Sequence, residues 1–178
     1  MHLALYGSAS NEIAQNYIKE TEALWEVLAK AGHSLVFGGG SKGLMGAAAR
    51  GTTKGGGKAT GVMPRFLTVR EPLFEQGMEV IYTETMSERK ATMERLAEGF
   101  IIAPGGIGTF DEFFEGLTLK KLGQLTGPII LYNIDGFWDE LLAFMNGVVE
   151  GKFVEPSVME LFSVCSTPTE VLEALTRN

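Results

Sequence analysis

The sequence predicts an α/β protein, a three-layer sandwich in which helices cover both faces of a mostly parallel sheet. Two observations carry this. Short apolar runs of strand length alternate regularly with longer stretches whose apolar residues recur at helical spacing. The glycine-rich turns follow the strands, at the edge where such sheets receive their ligands. Parallel neighbours need a crossover connection, and the crossover helices are what cover the sheet.

The elements follow in order. Residues 3–6 read as a first strand, with Gly7-Ser8-Ala9-Ser10-Asn11 as a turn and helix cap. Residues 12–31 carry Ile13, Tyr17, Leu24, Val27 and Leu28 at helical spacing, and Gly32 ends that helix. Residues 33–37 form a second strand, Gly38-Gly39-Gly40 leads out of it, and residues 44–54 are helical. A third strand, 59–63, is broken by Pro64, and 65–77 is the one long irregular connection. Residues 78–82 give a fourth strand, 86–98 a helix, 100–103 a fifth strand and 109–122 its helix. A sixth strand at 128–132, a helix at 137–149, a strand at 161–165 and a helix at 169–175 close the chain. Residues 1–178 thus read as one Rossmann-like domain.

Composition narrows the partners. Hydrophobic content of 45% over 178 residues supports a single good core. A net charge of −7 makes a nucleic-acid duplex a poor partner, although a local basic patch could still hold a phosphate monoester. Cys165 is the sole cysteine, which excludes an internal disulfide; set in an apolar run, it reads as a core thiol. Met1 to Tyr6 lacks a basic leader and fits a strand better than a signal peptide, and no apolar stretch is long enough to span a bilayer. A cytoplasmic protein with neither a membrane nor a nucleic-acid partner is expected.

Four stretches carry chemistry. The most informative is Pro104-Gly105-Gly106-Ile107-Gly108-Thr109-Phe110-Asp111-Glu112, between an apolar strand and a helix. Glycines opening a helix place backbone N–H groups and the positive end of the helix dipole around a volume that can hold an anion. Asp111 and Glu112 are expected in the first helical turn, and Glu115 shares a face with each. Carboxylates among Phe110, Phe113, Phe114, Leu117 and Leu119 point to working residues more than to a solvated acidic face. Gly38-Gly39-Gly40-Ser41-Lys42-Gly43-Leu44-Met45-Gly46 permits close backbone approach. It is neither a Walker A loop nor a clean dinucleotide fingerprint, and a tight strand-to-helix turn explains it as well as a ligand does. The Gly7-Ser8 turn is explained by capping alone. In Met86-Ser87-Glu88-Arg89-Lys90, Arg89 and Lys90 could serve a phosphate or a leaving base, or simply pair with Glu88 and Glu94 on an exposed helix.

Taken together and in this order, Gly-Gly-Gly-Ser-x-Gly-Leu-Met-Gly, Met-x-x-Arg-Lys-Ala-x-Met and Pro-Gly-Gly-x-Gly-Thr-x-x-Glu resemble the LOG ("lonely guy") family over nearly the whole chain. Its members are cytokinin riboside 5′-monophosphate phosphoribohydrolases, often mislabelled as lysine decarboxylases. The resemblance implies a Rossmann-like homodimer with sites near the subunit interface, and no metal or organic cofactor. The substrate it implies is a small nucleoside monophosphate, cleaved to free base and ribose 5-phosphate. It also assigns residues: Arg89 and Glu112 as catalytic, the adjacent Lys90 as substrate-binding, and Gly105, Gly106, Ile107, Gly108, Thr109, Phe110 and Asp111 as the nucleotide-contacting run. Thr118 follows along the same helix, and Glu71 matches a substrate-binding glutamate. Gly39, Gly40 and Ser8 complete the expected substrate contacts. Ser87 stands where the family usually has His, and Leu119-Lys120-Lys121-Leu122-Gly123 replaces Trp-Ala-Gln-Leu-Gly, so the base-side pocket departs from the pattern. The rival expectation is a non-hydrolytic carrier of a phosphorylated cofactor, similar to the molybdenum-cofactor carriers.

Overall fold

A computed structural model describes residues 1–176, and the predicted sandwich is what it contains. The strands are β1 (His2–Tyr6), β2 (Ser34–Phe37), β3 (Ala59–Pro64), β4 (Met78–Thr83), β5 (Gly99–Ile102), β6 (Ile129–Tyr132) and β7 (Ser163–Cys165). The α-helices are α1 (Gln15–Lys30), α2 (Gly43–Lys54), α3 (Met86–Leu96), α4 (Ile107–Lys121), α5 (Asp139–Glu150) and α6 (Pro168–Thr176). The seven strands run in the order β4-β3-β2-β1-β5-β6-β7, and every pair is parallel. From β1 the chain builds outward to β4, then returns to β5 on the other side of β1. The carboxyl ends of β1 and β5 therefore flank the point where strand order reverses, the place in such sheets where connections diverge and leave a crevice.

Alternation along the strands sorts the core into two faces. Leu3 and Leu5 join Leu24, Leu28, Leu44 and Phe37 on one side. Ala4 and Tyr6 join Phe100, Ile102, Phe113 and Trp138 on the other. Cys165 is buried, as a core thiol should be. The first face is unusually close-packed where α1 meets α2. A Cβ on Gly51 would lie 2.2 Å from the Glu22 carbonyl oxygen, so only a glycine fits between the helix backbones. Gly51→Ala is expected to destabilise the protein by about 2 kcal/mol or more, because parting two helices outweighs the ~1 kcal/mol of helix propensity gained. Urea denaturation of the variant beside the parent checks it.

Three helix starts differ from expectation by two residues or more: α1, α4, and α5, which begins at Asp139 instead of 137. α1 begins at Gln15, three residues late and without a side-chain cap. The intended cap, Asn11, instead accepts a hydrogen bond from Gly43 N at 2.8 Å and so caps α2. Ser8 and Ser10 close small turns of their own, accepting from Ser10 N and Glu12 N at 3.1 Å each. α4 begins two residues early, at Ile107. No helix among the described residues is long and apolar enough to cross a membrane.

Candidate active site

A cleft of about 270 Å³ opens at the reversal point. It is lined by the turn after β1 (Gly7, Ser8), the end of β2 (Gly38), the start of α4 (Gly106, Gly108, Thr109), and by Arg89, Glu112 and Glu71. Three chain turns from distant parts of the sequence meet here because their backbones are bonded together. Ser8 N donates to Pro104 O at 3.0 Å, and Leu44 N donates to Ser8 O at 2.8 Å.

The start of α4 offers the anion site. Gly106 is its N-cap, no side chain caps it, and its first turn holds no acidic residue. The first intrahelical bond runs from Phe110 N to Gly106 O at 3.1 Å, so the amides of Ile107, Gly108 and Thr109 lack intrahelical acceptors. Because the helix starts early, Asp111 and Glu112 fall in its second turn, not in the first as expected. The dipole they would have neutralised is left for an external anion. The glycine turn before α2 has less to offer. Its Ser41, Gly43 and Leu44 amides are already bonded to Pro72 O, Asn11 Oδ1 and Ser8 O.

Arg89 and Glu112 meet across α3 and α4, Nη1 to Oε1, at 3.0 Å, and their side chains are only 13% and 8% exposed. Arg89 thus leaves the exposed helix face where its sequence neighbours would pair with it. Its Nε is buried without a protein partner, a donor with capacity to spare. Gly38 makes room for the guanidinium: a Cβ there would stand 2.9 Å from Arg89 Nη2. Gly38→Ala is expected to push Arg89 off Glu112 and lower activity at least tenfold, with a melting temperature close to the parent's. Activity and thermal denaturation measured on the same preparation check it.

Burial pushes the Glu112 carboxyl up from its ordinary 4.5 to about 7. Arg89 pulls it back, Asp111 pushes it up again, and Lys90 and Glu115 act in opposite senses with less weight. Tyr6, buried beside it at the end of β1, is pushed up too, by burial first and then by the Glu112 charge. The folded chain therefore holds the Glu112 proton more tightly than the unfolded chain does. The stability this contributes is complete below about 4.5 and is lost as pH rises through about 7. The displacement corresponds to roughly 3 kcal/mol. Thermal melts from pH 5 to pH 8 should fall more steeply in the parent than in Glu112→Gln.

Glu71 reaches the cleft by a route no periodicity marks. The connection after β3 contains a short 3₁₀ turn, Arg65–Leu67, and then pairs with the glycine turn through an antiparallel bridge between Gly40 and Leu73. Phe74 N donates to Gly39 O at 3.0 Å. Gly39 and Gly40 are buried and hold this segment in place, while Gly38 lines the cleft. Gly105 lies beneath Thr109, whose Oγ1 sits 2.1 Å from where a Cβ would be.

Eight expected contacts do not line the cleft: Gly39, Gly40 and Gly105, placed above, and five whose side chains lie elsewhere. Ile107 is 83% exposed. Phe110 packs edge-on against Trp138, ring centroids 5.6 Å apart. Lys90, Asp111 and Thr118 lie with Glu115 on a separate shallow face. The cause is helical: residues adjacent in sequence point about 100° apart, so a contiguous motif cannot all face one ligand. Conversely, Met45, Pro64, Leu67 and Met86 line the cleft unannounced. Met45 and Met86 stand within motifs read from the sequence and Pro64 ends a strand, whereas Leu67 had no signal. Among the described residues no cluster of three or more His, Cys, Asp or Glu is placed to hold a metal ion.

Comparison with known proteins adds a lineage. The family model described as possible lysine decarboxylase matches residues 45–175. The cytokinin riboside 5′-monophosphate phosphoribohydrolase of Mycobacterium tuberculosis is 36% identical over 172 residues, covering 97% of this chain and 91% of that one. The cytokinin riboside 5′-monophosphate phosphoribohydrolase LOG2 of Arabidopsis thaliana is 41% identical over 141 residues, 79% of this chain and 66% of that one. This chain thus spans about two thirds of the plant relative and nearly all of the mycobacterial one. Among solved structures, the molybdenum cofactor carrier protein of Chlamydomonas reinhardtii aligns with a TM-score of 0.76 over 99% of this chain and 96% of that one, at 22% identity. The molybdenum cofactor binding protein of Rippkaea orientalis aligns at 0.69 over 97% and 91%, at 21% identity. At such identities the likeness is one of fold.

Proposed function

The chain belongs to the LOG family of cytokinin riboside 5′-monophosphate phosphoribohydrolases, and from that premise we propose that it hydrolyses the N-glycosidic bond of a nucleoside 5′-monophosphate, either AMP or a cytokinin riboside 5′-monophosphate. The observation that carries the proposal is the buried Arg89–Glu112 pair opening on the same cleft as the uncapped start of α4.

Cleavage of the C1′–N9 bond builds positive oxocarbenium character on the ribose and negative charge on the base. The 5′-phosphate is held by the free amides of α4, with the Thr109 hydroxyl beside them, and Ser8 lines the same cleft. Glu112 faces the ribose, where its carboxylate favours the developing cation and accepts a proton from the attacking water. Water oxygen bonds to C1′, the C1′–N9 bond breaks, and the departing base ends with the proton. Arg89 holds Glu112 in place and offers its remaining donors to the negative charge of phosphate or base. Glu71 lines the same cleft and serves the substrate there. No lysine lines the cleft among the described residues, so nothing there could form the Schiff base that decarboxylation of lysine requires.

Phosphate dependence tests the anion site. Adenosine should be hydrolysed with a kcat/KM about 10³-fold or more below that of AMP, since remote binding energy is what drives catalysis at the reacting bond. Equal rates on adenosine and AMP would remove the α4 amides from the mechanism. With an ionised Glu112 required, kcat/KM should fall tenfold per unit of pH below about 7.

The proposal extends to a homodimer in the cytoplasm. Phe114, Leu122 and Phe144, exposed by 39%, 65% and 66%, surround an apolar groove between α4 and α5, a surface suited to a second copy of the chain. Light scattering should return twice the chain mass.

A further inference from the structure

Behind Glu112, on the side of the sheet that α3 and α4 cover, lies a second and much smaller cavity of about 10 Å³. Its walls include Tyr6 from β1, Glu94 from α3, Phe113 and Gly116 from α4, and Ile129 from β6. Glu112 is the residue that this chamber shares with the cleft. The volume is about the least that houses one water molecule, and the polar partners a buried water needs are there in Tyr6, Glu94 and Glu112. Tyr6 is 3% exposed, and its ring stacks on Phe100 with centroids 6.5 Å apart. Its hydroxyl makes no hydrogen bond to the described residues and, bordering the chamber, is not sealed off. A hydroxyl so placed is ordinarily bonded to water. Arg89 holds Glu112 by Oε1, which leaves Oε2 to be fixed from another side. Gly116 is the second anomaly. It sits inside α4, where alanine is the better helix former. Packing does not demand a glycine there: outside the helix backbone, the nearest atom to a Cβ would be Ile129 Cδ1 at 3.7 Å, an ordinary contact. Since Ile129 is itself a wall of the chamber, a side chain at 116 would take up the chamber's space.

We propose that the chamber is a water site, in which one water accepts from the Tyr6 hydroxyl and donates to Glu112 Oε2 and to Glu94, and that Tyr6 is thereby a positioning residue for Glu112. The inference rests on Glu112 being the working carboxylate. Arg89 and the water then hold one carboxylate oxygen each, so the group meets the ribose in a single orientation. Glu94 and Phe100 are also walls of a wide groove at the amino-terminal edge of the sheet, which puts the water near solvent on the side that the nucleotide does not cover.

A high-resolution crystal structure of the free protein is the first test. Density for one ordered water about 3 Å from both Tyr6 Oη and a Glu112 oxygen is expected, and a chamber without density overturns the inference. Kinetics tests the role. Tyr6→Phe keeps the ring and its stacking, and should lower kcat on the hydrolysed nucleotide about tenfold with KM changed by less than about twofold. Gly116→Ala should melt about 2 °C or more above the parent, because the helix gains propensity. It should nevertheless lose about tenfold in kcat, because its methyl group displaces the water. A merely structural chamber would make activity follow stability, whereas here the two move in opposite directions. An unchanged kcat in either variant overturns the positioning role. If the parent releases no base at all, the hydrolase proposal fails, while the density still decides whether the chamber holds water.

Discussion

Glu112→Gln is expected to lower kcat on a nucleoside monophosphate by about 10³-fold or more, while the nucleotide still binds within a few-fold of the parent. The amide keeps the shape of the carboxyl but can neither accept water's proton nor offset the charge growing on the ribose. Binding survives because the phosphate is held elsewhere, at the start of α4, whose amides the substitution does not touch. Calorimetric titration with AMP beside a base-release assay separates the two effects. Near-normal turnover would remove Glu112 from the mechanism. The same substitution relieves the cost of burying a carboxylate, so loss of activity should come without loss of stability above pH 7. That combination distinguishes a working group from a structural one.

Arg89→Met should lower kcat/KM by about 10²–10³-fold at pH 7 and move what activity remains to higher pH. Arg89 is the largest influence favouring ionised Glu112 against its burial. Without it, the carboxyl protonates more readily and loses its anchor at 3.0 Å. The two residues act as one unit, so the double variant Arg89→Met/Glu112→Gln should be little worse than Glu112→Gln alone. Additive losses would mean that Arg89 serves the substrate independently of Glu112. A pH–rate series on the three variants decides between these.

The strands were legible because a parallel strand covered on both faces must be continuously apolar, and β1, β2, β5 and β6 have that pattern. Helix starts were less so, for a tertiary reason. Asn11 looked like a cap for the helix that follows it, and it caps α2 instead. Nothing local distinguishes those partners. The same applies to the glycine turn after β2, whose amides are taken up by Ser8, Asn11 and Pro72 from elsewhere in the chain. At the site, the Thr109 turn was legible from its glycines alone. Arg89 was not: by charge pattern it belonged among surface pairs, and only its motif set it apart. Its burial against Glu112 arises where α3 and α4 pack on the same face of the sheet, over β1. The resemblance assigned Lys90 and Asp111 to the substrate alongside the catalytic pair, whereas the structure has them on a separate face, because a helix turns adjacent side chains onto different faces.

The most direct measurement is incubation of purified protein with AMP and with isopentenyladenosine 5′-monophosphate, followed by chromatography for free base and ribose 5-phosphate. The account predicts equimolar base and ribose 5-phosphate from at least one of the two, with the rate ratio reporting the base pocket. Tight, phosphate-dependent binding of both nucleotides with neither product after long incubation would contradict it and make the cleft a carrier's site.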